Sequence, residues 1–220
     1  MPSPFDQSTY QVRHEWGAEG LRRLEPADVV IIVDVLRFSS TMADAVVTRP
    51  AIALADAREW SSNGADAAAA AQRDGTTVLV GGIRNAAAVA RAALAVQERR
   101  AARTSVAVIA AGERTPDGAL RFAVEDQLGA GAVIAALTTV GIDHCSPEAA
   151  ASAEAFRALR PALRHLLSAS GSGRELTVGV ASTARMLASG IRPASVEDAA
   201  DLDASDVVPE LRDGRFLHFA

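Results

Sequence analysis

The chain has 220 residues, 49% of them apolar and only 4% aromatic, which predicts one α/β domain over residues 1–220 with a core of Ala, Val, Leu and Ile. A formal net charge of −5 argues against general binding of nucleic acid or of an anionic membrane surface. All 22 basic side chains are arginine, so P-loop and Schiff-base lysine chemistry is excluded, whereas planar recognition of phosphate or sulfonate is not.

Residues 1–12 are polar and are expected to fray, and they lack the apolar core of a secretory signal. No apolar stretch approaches the ~20 residues of a membrane span, so a cytoplasmic protein is expected. Arg13-His14-Glu15-Trp16-Gly17 opens a short segment. Val29-Val30-Ile31-Ile32-Val33 is an unbroken β-branched run that predicts a buried strand over 29–34. Residues 40–48 read as the following helix, stopped before Pro50. Residues 52–54 fit a short strand, and the alanine-rich run 65–73 is helical by propensity. A second clear strand at 77–80 ends in Gly81-Gly82, and Asn85 precedes an alanine-rich helix to about residue 99. A third buried strand, 106–110, ends in Ala111-Gly112. A turn at Pro116-Asp117-Gly118 follows, and Glu125-Asp126 opens a helix with a 3.6-residue apolar period. A helix pair fits 147–168, and 169–175 (ASGSGRE) reads as a flexible turn. The tail is strand-like at 215–219, and residues 170–220 are the candidate for a small C-terminal lobe.

The alternation predicts a three-layer α/β/α domain with a mainly parallel sheet. Right-handed crossovers then bring 34–41, 81–85 and 110–126 to one sheet edge, the carboxyl edge where such folds bind ligands. The first cluster is Asp34 with Arg37 and the hydroxyls of Ser39, Ser40 and Thr41. The second is Gly81-Gly82-Ile83-Arg84-Asn85. The third is Gly112 with Glu125 and Asp126. Carboxylates, an amide, guanidiniums and hydroxyls together can hold Mg²⁺ and a phosphate. Taken singly, the first cluster reads equally as a strand end, a surface arginine and an N-cap.

Three motifs in this order resemble the 2-phosphosulfolactate phosphatase family. VVIIVDVLRFSST resembles its leading motif, VLVGGIRNAAAVA its strand-loop-helix around asparagine, and AVEDQLGAGAVI its Glu-Asp helix. SGRELTVG and DVVPEL fit its carboxyl-terminal pattern more weakly. The resemblance implies a magnesium-dependent phosphatase acting on a phosphorylated sulfolactate, a step of coenzyme M biosynthesis. It implies that Asp34, Glu125 and Asp126 stand at the metal or the attacking group. Arg37, the 39–41 hydroxyls and Asn85 would hold phosphate, with Gly112 beside them. The chain lacks the family's Gly-Glu-Arg loop and Asn-Ser-Pro segment between Asp34 and Asn85. Ser61-Ser62-Asn63-Gly64-Ala65 reads either as a degenerate Thr-Thr-Asn-Gly-Thr turn, which makes Asn63 a substrate contact, or as helix surface or a tight turn. The competing expectation is a non-catalytic homologue that binds a small anion without turnover. Cys145 reads as a partly buried packing residue, and alanine-rich helix faces allow a homodimer.

Overall fold

The computed structural model describes residues 3–220. In chain order the elements are β1 (Val12–Trp16), α1 (Gly17–Arg23), β2 (Val29–Val33), α2 (Ser40–Thr48), β3 (Ile52–Ala53), α3 (Leu54–Trp60), α4 (Ser62–Ala71), β4 (Thr77–Gly81) and α5 (Ala86–Arg100). They continue with β5 (Val106–Ala110), β6 (Glu113–Arg114), β7 (Leu120–Arg121), α6 (Val124–Thr139), α7 (Pro147–Leu159), α8 (Leu163–Ala169), α9 (Gly171–Val178), α10 (Ala181–Ala188), α11 (Val196–Ala200), β8 (Pro209–Arg212) and β9 (Arg215–His218).

Seven strands form one sheet in the order β1-β5-β2-β4-β8-β9-β3. The first four are mutually parallel, and β8, β9 and β3 extend the sheet with antiparallel pairings. β2 lies between β5 and β4 with both faces covered, which is why its sequence is a continuous apolar run rather than an alternating one. Val29, Ile31 and Val33 pack with α5, α6, α7 and α8 on one side, while Val30 and Ile32 pack with α2, α3 and α4 on the other. Each such side chain, fully buried, contributes about 1.5–3 kcal/mol, so a polar substitution in β2 would damage both layers. The expected three-layer α/β/α architecture is the one observed.

Two local expectations are corrected. Residues 169–175 are not a flexible turn: Ser170 accepts a hydrogen bond from the Gly173 N–H at 3.0 Å and caps α9. Residues 3–11 are not frayed. Gln7 brackets His14, donating from Nε2 to its carbonyl and accepting its N–H, both at 3.0 Å. Gln11 donates to the Thr104 carbonyl at 3.0 Å. These bonds hold the polar run 13–16 as the edge strand β1. The C-terminal hairpin closes on Asp213-Gly214, both with positive φ, the geometry of a two-residue primed turn. Residues 209–218 thereby join the central sheet, and α11 packs on α8. Among the described residues no helix is long and apolar enough to cross a membrane.

Candidate active site

The parallel strands end level with one another: Val33 pairs with Gly81 and with Ala110, and Ala110 pairs with Trp16. The residues that follow each strand therefore emerge side by side, with Asp34 at the centre. Asp34 is 7% exposed. Its Oδ2 accepts from the Ser61 hydroxyl at 2.9 Å and from the Gly64 N–H at 3.1 Å, and its Oδ1 accepts a long bond from the Phe38 N–H at 3.4 Å. Burial pushes its carboxyl up to about 6, assisted by the negative charge of Glu113 and opposed by the Ser61, Phe38 and Gly64 donors.

Asp126, in the first turn of α6, accepts from the Val35 N–H through Oδ1 at 2.7 Å and from the Gly112 N–H through Oδ2 at 2.9 Å. It thus ties the ends of β2 and β5 to one helix. Gly112 has φ +68°, where a side chain would strain the backbone that presents this N–H. Burial, with Asp34 and Glu125 nearby, raises the Asp126 carboxyl well above the usual carboxylate range. Glu125 is 3% exposed and borders the same cleft.

That cleft, of about 190 Å³, is bordered by Asp34, Arg37, Ser61, Asn63, Gly112, Glu113, Glu125 and Asp126 on the sheet side. Ser172, Glu175, Ser182 and Arg185 border it from α9 and α10. Arg37 donates to the Thr183 hydroxyl, and its buried Nε has no acceptor among the described residues. Burial lowers its pKa and the neighbouring Asp34 opposes the shift.

Four expected phosphate contacts sit elsewhere. Ser39 Oγ accepts from the Asp34 N–H at 2.9 Å, Ser40 Oγ donates to the Val35 carbonyl at 2.9 Å, and Thr41 Oγ1 accepts from the Ala194 N–H at 3.1 Å. Asn85 accepts from the Gly82 N–H at 3.0 Å and donates to the Val207 carbonyl at 2.9 Å. These buried groups brace the strand-end loops rather than border the cleft. The 61–65 segment is the start of α4, with Ser61 accepting from Gly64 N–H as its cap. Asn63 donates to Glu113 at 3.0 Å and accepts from Arg114 at 3.2 Å. Sequence reasoning missed Glu113 and the α9–α10 wall. The first lies on the short strand β6, beyond any local signal, and Arg185 reaches the cleft only through tertiary packing.

The close approach of α4 to Asp34 requires glycine. A Cβ on Gly64 would lie 2.7 Å from Asp34 Oδ2 and 2.6 Å from Phe38 Cδ1. Gly64→Ala is expected to cost about 1–3 kcal/mol of stability, read from the midpoint of chemical unfolding. An unchanged midpoint would contradict the tight packing.

The carboxylates supply hard oxygen donors. Among the described residues no three His, Cys, Asp or Glu side chains form a metal-holding group. Oxygen donors of this kind are those Mg²⁺ takes, with one or two carboxylates, and with water and substrate phosphate completing its shell.

A family model described as 2-phosphosulpholactate phosphatase matches residues 59–214. The matched span takes in Asn63, Asn85, Gly112, Glu125 and Asp126 and begins downstream of Asp34 and Arg37. No curated protein matches the chain.

Proposed function

This chain belongs to the 2-phosphosulpholactate phosphatase family, and from that premise we propose that it is a Mg²⁺-dependent phosphatase acting on 2-phosphosulfolactate or a closely related small phosphorylated acid, as in coenzyme M biosynthesis. The observation that carries this reading is the meeting of opposite charges in one small cleft. Buried Asp34 and Glu125 border it together with Arg37, whose Nε lacks an acceptor among the described residues. Phosphate monoester hydrolysis needs this pairing of charge neutralisation with an aligned attacking group.

Asp34 and Glu125 are the residues that would hold Mg²⁺, which when bound neutralises phosphate charge and makes water a stronger nucleophile. Arg37, which borders the cleft and is held by its bond to Thr183, would bind a non-bridging phosphate oxygen through its guanidinium. Ser61, Gly64 and Phe38 hold Asp34 in one orientation, and Oδ1 is the less engaged of its two oxygens. Leu36, Trp60, Leu176 and Val180 limit water at the cleft.

The test is phosphate release from 2-phosphosulfolactate, with Mg²⁺ and with EDTA. Turnover is expected only with Mg²⁺, and Arg37→Gln is expected to raise KM by about ten- to a hundredfold. Mg²⁺-dependent binding of phosphate without hydrolysis of any phosphoester would overturn the reading in favour of a binding homologue.

A further inference from the structure

A second and larger chamber, of about 430 Å³, adjoins the first at the same sheet edge. It opens where β1 and β5 end and is bordered by Trp16, Gly17, Ala111 and Leu120, with α4 supplying Asp66, Ala69 and Ala70. The two chambers share one bordering residue, Asn63. Asn63 bonds Glu113 of the smaller cleft and Arg114 of the larger one, and the next residue, Gly64, donates to Asp34. One helix start therefore stands between both spaces.

The two spaces differ in charge. Five carboxylates and two guanidiniums border the Asp34 cleft. In the larger chamber the balance is reversed. Arg22 pairs with Glu19, while the single carboxylate of Asp66 is shared by Arg58 at 3.2 Å and Arg114 at 3.6 Å. Three guanidiniums thus meet two carboxylates, and the Arg58–Asp66–Arg114 group keeps a net positive charge. These side chains are about half exposed, so the pairs themselves contribute little to stability and remain open to exchange partners.

We propose that this chamber is the subsite for a second anionic group, a carboxylate or sulfonate carried on the alcohol portion of the substrate. Arg58 and Arg114 bind that group, and the carbon stem lies against Trp16, Leu120 and Ala70. The assignment rests on the phosphatase reading for the neighbouring cleft. A small molecule with two anionic groups separates them here, the phosphate at the acidic, metal-holding end and the other at the basic end.

The experiment compares 2-phosphosulfolactate with ethyl phosphate, which carries no second anion, and measures direct binding of isethionate, a phosphate-free sulfonate, by calorimetry. In the Arg58→Gln/Arg114→Gln double variant the ratio of kcat/KM for the two esters should fall about ten- to a hundredfold, the worth of charge-assisted hydrogen bonds. The dissociation constant of isethionate should rise about tenfold. An unchanged ratio overturns the proposal, as does the same loss produced by Arg185→Gln alone, which would move the second anion to α10. If wild type hydrolyses neither ester, the phosphatase reading has failed. Calorimetry still decides the subsite then: weaker isethionate binding in the double variant supports it, and equal binding rejects it.

Discussion

Asp34→Asn is expected to abolish turnover, by about a thousandfold or more, and at the same time to make the protein more stable. The loss of rate follows from removing the ionised group that the attacking water or the metal needs. The gain in stability follows from burial. The unfolded chain releases the Asp34 proton near 3.8, whereas the folded chain holds it to about 6. Between those values rising pH favours the unfolded state, and above about 6 the penalty is complete and constant. A displacement of that size is worth about 3 kcal/mol at neutral pH. The asparagine loses the long bond from Phe38, about 1 kcal/mol, leaving a net gain of about 2 kcal/mol and a melting temperature higher by roughly 4–8 °C. Measured in EDTA, the variant's advantage should be full above about pH 6.5 and be lost as pH falls through about 6 toward 4, leaving the variant less stable than wild type by about 1 kcal/mol once the carboxyl is protonated in both states. Glu113 adds to the rise at Asp34, Asp34 and Glu125 in turn raise Asp126, and Asp34 holds the Arg37 guanidinium in its charged form. Mg²⁺ should then restore wild type above pH 6 and leave the variant unmoved. A variant that melts at or below wild type at pH 7.5 would sink this account.

The three strand-end clusters were legible because each lies directly after an apolar run, and parallel strands with right-handed crossovers bring such ends together. Hence the sequence alone sufficed to bring Asp34, Gly112, Glu125 and Asp126 to one edge. It could not say which polar groups face the ligand. Ser39, Ser40, Thr41 and Asn85 carry the residue types that bind phosphate, but the same types satisfy backbone groups at tight loops. Only the observed partners separate the two uses: each of these side chains bonds a backbone N–H or C=O of a neighbouring loop. The missed strand β1 has a related cause. Its polar run Arg13-His14-Glu15 lacks the period of a buried strand, and Arg13 is satisfied by the Tyr10 and Glu25 carbonyls, contacts invisible to periodicity. The turn expected at 169–175 failed because glycine and serine serve helix caps as well as loops, and Ser170 is such a cap.

The adjacent acids Glu125 and Asp126 should separate cleanly under isosteric substitution. Successive residues point about 100° apart around a helix, so the pair cannot do one job. Both Asp126 oxygens already accept buried backbone N–H groups, from Val35 and from Gly112, and these bonds fix the two loops that flank Asp34. Asp126→Asn turns one acceptor into a donor facing a donor. The lost acceptor should cost about 1–3 kcal/mol, relief of the burial that raises this carboxyl offsets part of that cost, and the melting temperature should fall by no more than about 12 °C. Any loss of rate should then be recovered in part at lower temperature, where the loops are better ordered. Glu125 borders the cleft from the adjoining position. Glu125→Gln should leave the melting temperature within about 2 °C in EDTA, lower kcat about a hundredfold, and remove most of the stabilisation by Mg²⁺. The reverse pattern, with Glu125→Gln unfolding and Asp126→Asn folding normally but inactive, would mean that the clamp and the cleft-facing acid have been exchanged. The geometry argues against that exchange, because an oxygen held at 2.7 Å by a backbone N–H at a strand end cannot leave it without opening the sheet edge on which Asp34 stands.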